Sequence, residues 1–250
     1  MTGELPTSDA LLRVDDPNAE LFDAHAAEYA DAVNASIAAS GEDVDFFARR
    51  KADEVVRWLR AASLPQPVSV LDFGCGTGLS TAALATALPL AGAVTGVDVS
   101  PASVGEARRL HRGDRLRFVE GDTRVLPFDG GAFDLVFTAC VFHHIDRDLH
   151  AHWARELARV LRPGGALFLF EHNPHNPLTV RSVRACPFDE GVVLLPPAYA
   201  RGVLREAGLV TDRPRFYFFF PAALRRLRPL EPSLDRVPLG AQYFVAARRP

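Results

Sequence analysis

Short runs of β-branched and aliphatic residues alternate along the chain with longer segments whose apolar positions recur every three or four residues. Val68, Val70 and Leu71 follow Pro65-Gln-Pro67 and lead to Asp72, the pattern of a buried strand in a parallel sheet. The glycine loop Gly74-Cys-Gly76-Thr-Gly78 comes next, and helical spacing resumes from Leu79 through Leu84 and Leu88. Val94-Thr-Gly-Val-Asp98 and Leu116-Arg-Phe-Val119 are further short strands, the second running into Glu120-Gly-Asp122-Thr123. Phe133–Ala139 and Ala166–Phe170 have the same character. Between the strands, Ser100-Pro101 predicts a cap and first helical position for a helix to about His111. Asp148 predicts the cap of a helix with Leu149, Trp153, Leu157 and Val160 on one face, ended by Pro163-Gly-Gly. Pro196-Pro197 opens another through Tyr199, Val203 and Leu204, closed by Gly208. Strands and helices alternating in this way predict an α/β fold.

The two ends depart from that rhythm. Residues 1–16 are polar and acidic without a clear period, the pattern of a frayed tail. Tyr29, Val33 and Ile37 then mark a helical face that Gly41 stops, and Asp43 predicts the cap of a second helix with stripe Val44, Phe47 or Ala48, Ala52, Val55 and Leu59. The organisation expected is a tail and helical pair over 1–62 and an α/β domain over 63–250. At the far end, Arg215–Phe220 and Gln242–Ala246 read as strands, with no room between them for a crossover helix and strand. They predict an antiparallel hairpin at the sheet edge, and with it seven strands. Ala223–Arg228 reads as a short basic surface helix.

Composition narrows the function classes. The net charge of -3 offers no overall attraction to nucleic acid or an anionic membrane. No apolar run reaches the ~18 residues of a membrane span. The start lacks the basic and apolar regions of a signal peptide, so a cytoplasmic protein is expected. The three cysteines, Cys75, Cys140 and Cys186, are far apart and form no Cys-x-x-Cys pair, which predicts neither a zinc framework nor disulfides. Lys51 is the only lysine among many arginines.

Chemistry concentrates where strands end. Glycines let a backbone approach a ligand closely, and a helix start supplies unpaired N–H groups. A dinucleotide fingerprint requires a small residue three positions after its second glycine; here those places hold Leu79 or Thr81, which disfavours a nicotinamide oxidoreductase. Asp98 falls about 20 residues beyond the loop, where an acid reaches ribose hydroxyls.

Leu71-Asp-Phe-Gly-Cys-Gly-Thr-Gly78, Gly96-Val-Asp98-Val-Ser100, Gly121-Asp122-Thr123, the stretch Phe133 to Ile145 and Arg159-Val-Leu-Arg-Pro-Gly-Gly165 together resemble the motifs of class I S-adenosylmethionine-dependent methyltransferases. The resemblance spans roughly residues 40–250. It implies a Rossmann-like, seven-stranded, mostly parallel sheet with an antiparallel C-terminal hairpin. It also implies that the N-terminal helices fold over the cofactor as a lid, with Tyr29 reaching in; a helical pair on the sheet edge is the plainer reading. The implied cofactor is S-adenosylmethionine, with S-adenosylhomocysteine as product. Its implied contacts are Asp72, Gly74, Gly76, Gly78, Asp98, Val99, Asp122, Thr123 and Cys140. The glycine loop would hold the aminocarboxyl tail, Asp98 the ribose, and Asp122 the adenine amino group beside the Thr123 N–H.

A sulfonium methyl is already a strong electrophile, so the protein must mainly align a nucleophile about 3 Å away. For a hydroxyl acceptor a base adds typically 10²–10⁴-fold, and histidine titrates in the useful range. His143 and His144 follow the fourth strand, and Glu171-His172-Asn-Pro-His175 follows the fifth, at the same sheet edge as the glycine loop. His144, His143 and His172 are therefore the candidate catalytic residues. Their spacing lacks helical ligand periodicity, and no metal site is expected. Enzymes of this superfamily that methylate amino groups of DNA bases carry Asn/Asp-Pro-Pro-aromatic after the fourth strand; Thr138-Ala-Cys140-Val stands here instead. Segment 173–195 should wall the acceptor pocket, either with Arg181 and Arg184 gripping an anion or with Phe188, Tyr199, Phe218 and Phe219 making an aromatic site. The expectation is O-methylation of a small biosynthetic intermediate, with no nucleic-acid or membrane partner. The rival readings are C-methylation of a quinone-like or isoprenoid acceptor, and a non-catalytic cofactor-binding subunit.

Overall fold

A computed structural model describes residues 23, 29–122 and 124–250. The expected tail, Thr123 and the side chain of Tyr29 lie outside the described residues. Helix α1 (Tyr29–Ile37) runs on as a 3₁₀ turn, Ala38–Ser40, that ends at Gly41 in the left-handed region. Helix α2 (Val44–Ala61) starts where expected, the Asp43 carboxylate accepting a 2.7 Å hydrogen bond from the Phe46 N–H. Then come β1 (Ser69–Phe73), α3 (Leu79–Ala87), β2 (Ala93–Asp98), α4 (Pro101–Leu110) and β3 (Leu116–Glu120). The chain continues through β4 (Phe133–Ala139), α5 (Arg147–Val160), β5 (Leu161–His172), α6 (Pro177–Ala185) and α7 (Pro197–Glu206). It closes with β6 (Val210–Thr211), β7 (Arg215–Tyr217), α8 (Glu231–Leu234) and β8 (Gln242–Arg248).

These strands form one sheet of order β3-β2-β1-β4-β5-β8-β6, with β7 pairing further along β8. β1 to β5 run parallel, and β8 is antiparallel to β5, β6 and β7. The fold is mixed α/β with a mostly parallel central sheet and an antiparallel C-terminal part. The order reverses between β1 and β4, which opens a crevice at their carboxyl ends. Period-two burial puts Leu71, Phe73, Val97, Val136 and Leu167 on the face covered by α5 and α7. Val70, Val94, Leu135, Phe137 and Phe168 face α2 and α3. Ala52, Val55, Trp58 and Leu59 put α2 into that second core, while α1 leans across to touch α6.

Three expectations change. α5 begins two residues early: Asp146 is the last extended residue (ψ 137°), so Asp148 sits in the first turn as a dipole-matched acid and not as the cap. Leu161 already pairs with Phe133, and Pro163-Gly-Gly forms a ladder irregularity inside β5. The strand expected at 215–220 stops at Tyr217 because Phe218 turns to φ 60°, its ring packing on Phe46 and Phe47. The Phe219 and Phe220 N–H groups then donate to Glu231 Oε1, outside the ladder. The seventh position of the sheet is accordingly filled by two short pieces, β6 and β7.

Candidate active site

The glycine loop leaves β1 and turns under β2. The Gly74 and Cys75 N–H groups both donate to the Val97 carbonyl, at 2.9 and 3.1 Å. Gly74 has φ 72°, and a Cβ there would lie 2.3 Å from Val141 Cγ2, so the loops after β1 and β4 meet only because this residue has no side chain. Asp98 ties the loop to α4: Oδ2 accepts from the Gly76 N–H at 2.8 Å and Oδ1 from the Ser100 N–H at 3.0 Å. Ser100 caps α4 by accepting from the Ser103 N–H, and its hydroxyl donates to Asp23 at 2.5 Å. Burial pushes the Asp98 carboxyl up, against the pull of these backbone N–H groups. Each carboxylate oxygen still has a lone pair to offer a ligand hydroxyl.

This end opens into a cavity of about 640 Å³, within the range that holds a nucleoside-sized ligand. Gly74, Gly76, Asp98, Val99, Asp122 and Cys140 are on its wall. Asp122 is exposed, and its Oδ1 accepts from the Arg124 N–H. Two expected cofactor residues stand behind the wall. Asp72 is buried under the loop, accepting from Thr81 Oγ1 at 2.7 Å, and burial pushes its carboxyl up to about 7. Gly78 starts α3 at φ 85°, where a Cβ would strike Phe118 and His111. Alternation along β1 explains Asp72: it points to the same face as Val70, toward α2 and α3.

The other end is made of side chains. β4 and β5 run in register to Ala139 and Phe170, so the residues after each come together. The 3₁₀ turn Phe142–His144 is held by His150, whose Nε2 lies 2.8 and 2.9 Å from the Phe142 and Ile145 carbonyls. Glu171 grips the turn twice, accepting from the Phe142 N–H at 3.0 Å and lying 2.6 Å from His143 Nδ1. Asp189, on the 3₁₀ turn after α6, puts Oδ1 3.5 Å from His143 Nε2 and 3.3 Å from His144 Nε2. The His143 ring centre is 4.2 Å from that of His144 and 5.3 Å from that of His172. His172 Nδ1 faces the Gln242 amide at 3.4 Å. All three candidate histidines thus converge on one wall of the cavity.

Their charges differ. Burial presses on His143, yet Glu171 and Asp189 outweigh it and hold the imidazolium well above the ordinary range. Burial keeps His144 low, with the neighbouring His143 charge acting the same way. His172 is pushed down to about 4, first by burial and then by His143. Glu171 and Asp189 resist burial and stay below the ordinary carboxylate range because of these histidines. Burial raises the thiol of Cys140, a residue held at φ 59°.

The residues missed are Glu171, Asp189 and Lys51. Glu171 carried a signal, an acid directly ending a run of buried apolar residues. Lys51 carried a better one: the only lysine falls on the apolar stripe of α2, is buried, lines the cavity and lowers the Asp72 carboxyl. Asp189 carried none, since its partners lie over forty residues away. Segment 173–195 does line the cavity, through α6, Phe188 and Asp189. Arg181 and Arg184 are exposed and off that wall, whereas Phe188, Phe218 and Phe219 are on it; Tyr199 packs on His150 instead.

A crevice at the reversal of a parallel sheet, a glycine cradle and a strand-end acid define a nucleoside-binding α/β domain of the class I type. Residues 70–165 match the model of a methyltransferase domain family. The chain is 36% identical over 110 residues to phthiotriol/phenolphthiotriol dimycocerosates methyltransferase of Mycobacterium leprae, covering 43% of this chain and 38% of that protein. It is 35% identical over 149 residues to 27-O-demethylrifamycin SV methyltransferase of Amycolatopsis mediterranei, covering 56% and 53%. Each match spans about half or less of the relative's length. The fold is shared with magnesium protoporphyrin IX methyltransferase from Synechocystis, solved with S-adenosylhomocysteine (TM-score 0.60, 21% identity, 93% of this chain and 100% of that one). The family's cofactor is S-adenosylmethionine. Among the described residues no helix is long and apolar enough to cross a membrane.

Proposed function

We propose that the protein methylates a hydroxyl of a small, largely apolar biosynthetic intermediate, using S-adenosylmethionine. The observation that carries this reading is one continuous cavity with the glycine cradle and Asp98 at one end and His143, His144 and His172 at the other. The cofactor supplies an electrophilic methyl group when bound. Gly74 and Gly76 give its aminocarboxyl tail a close backbone approach, Lys51 puts a positive charge near the carboxylate, and Asp98 is pre-oriented for the ribose hydroxyls. Asp122, Val99 and Cys140 line the same cavity, and in this reading Asp122 and Val99 flank the adenine.

At the acceptor end, Ile37, Leu178, Val183, Phe188 and Phe219 provide an apolar wall that excludes water. Burial favours the neutral form of His144 and His172, the form that accepts a hydrogen bond from an acceptor hydroxyl; His172, pushed down to about 4, is the weaker base of the two. His143, clamped between two carboxylates, keeps its proton and fixes the turn that carries His144. The relative whose name specifies a 27-O position supports oxygen as the acceptor atom. The test is a labelled-methyl assay over a panel of small apolar acceptors, with the label then located in the product. Label on oxygen is the expected result. Label on carbon would replace this reading with methylation of a quinone-like ring, and no transfer to any acceptor would favour a cofactor-binding subunit.

A further inference from the structure

The distances around Asp189 are wrong for the hydrogen bonds they would otherwise represent. Charge-assisted N–H···O contacts close to about 2.7–2.9 Å. Asp189 Oδ1 instead stands 3.5 Å from His143 Nε2 and 3.3 Å from His144 Nε2. Those values match the edges of a tetrahedron around an ion with bonds of about 2.0–2.2 Å, whose ligand atoms are about 3.3–3.6 Å apart. His143 Nε2 is fully buried and has no hydrogen-bond partner. The other ring nitrogen, Nδ1, is 2.6 Å from the Glu171 carboxylate, the outer partner that fixes the tautomer of a metal-binding histidine; the ion takes the place of the proton that the ion-free ring carries on Nε2 and releases it to solvent. The potential ligand atoms of His143, His144 and Asp189 all lie within 4.8 Å of one another.

We propose that His143 Nε2, His144 Nε2 and Asp189 Oδ1 bind one divalent ion of the zinc class on the acceptor wall of the cavity, its fourth position open to an oxygen of the acceptor. Two imidazoles and one carboxylate suit zinc, cobalt or manganese, and not magnesium or calcium, which take oxygen ligands. A three-ligand site facing a cavity is the open arrangement in which an ion serves as Lewis acid. With His143 and His144 engaged, His172 is the third ring beside the site, its centre 5.3 Å from that of His143. Oxygen ligation by the acceptor rests on the methyl-transfer reading; the ion site does not. The proposal departs from the sequence expectation of no metal because the candidate ligands converge from the loop after β4 and the turn after α6, with no helical spacing to announce them.

The test uses the full chain freed of metal with a chelator, titrated with Co²⁺ alone and followed by visible d–d absorption, and S-adenosylhomocysteine binding measured in parallel. One equivalent of Co²⁺ in a four- or five-coordinate spectrum, displaced by Zn²⁺, is expected. Asp189→Asn and His144→Ala should each weaken Co²⁺ by at least about 100-fold, and Glu171→Gln by about 10–100-fold, while S-adenosylhomocysteine still binds and reports the fold. Absence of saturable Co²⁺ binding by the wild-type chain overturns the proposal, as does an affinity unchanged in both ligand variants. Loss of S-adenosylhomocysteine binding by the wild-type chain, with Co²⁺ retained, would instead overturn the methyltransferase reading and leave the ion site standing.

Discussion

At the β1–β2 end of the cavity, the cradle is backbone together with one carboxylate that the backbone itself holds, all from the stretch 74–100, with Lys51 and Asp122 added from outside it. At the β4–β5 end, four titratable side chains from three separate segments meet around one imidazole, that of His143. The first end is stiff because its groups are parts of the sheet and of a helix start. The second depends on balanced charge, and each member is tolerable in the interior only because the others are there. A donor of fixed shape suits the first construction, and acceptors that vary suit the second.

Removing the central charge should have the largest effect. His143→Ala leaves Glu171 and Asp189 buried without their imidazolium, and a loss of about 3–5 kcal/mol is expected in denaturant unfolding; a loss under about 1 kcal/mol would mean that water already screens the cluster. The opposite end should respond in affinity more than in stability. Asp98→Ala removes a carboxylate able to accept two hydroxyl hydrogen bonds, and S-adenosylhomocysteine should bind about 100-fold more weakly by calorimetry. Gly74→Ala forces a Cβ against Val141 at positive φ, with a cost of about 1–3 kcal/mol and a lower melting temperature. Lys51→Met keeps the volume and loses the charge, and about 10-fold in cofactor affinity is expected at low salt, less at high salt.

pH separates the two ends most finely. Glu171 and Asp189 are held below their ordinary values of 4.5 and 3.8, so their stabilisation is present above that range and is lost as pH falls. His143 is held above its ordinary 6.5, so its share is complete below about 6.5 and is lost as pH rises through its folded value. In the chain freed of metal, the stability difference between wild type and His143→Ala should peak between about pH 4.5 and 6.5 and shrink on both sides. The difference between wild type and Gly74→Ala, which is steric, should stay flat.

The same contrast explains what the sequence disclosed. The cradle was legible because strand, glycines and acid are consecutive, and the caps Asp43 and Ser100 because each acts within three residues. His143, His144 and His172 were legible from parallel topology, which sends loops after β4 and β5 to one edge. Asp189 was not, since its meeting with His144 depends on how α6 folds back across the sheet. Nor was the broken edge strand, because Phe218 leaves the ladder for a ring packing with α2 that no local pattern encodes. Asp72 shows the converse: a residue inside a clear motif whose alternation sends it behind the wall and not onto it.

The most direct test is a crystal structure with S-adenosylhomocysteine. The expected complex has ribose oxygens within hydrogen-bond reach of the Asp98 carboxylate, the adenine beside Val99 and Asp122, and the sulfur turned toward the wall carrying His144 and His172. The ligand bound with its ribose away from Asp98, or its sulfur turned from the histidines, would contradict the account.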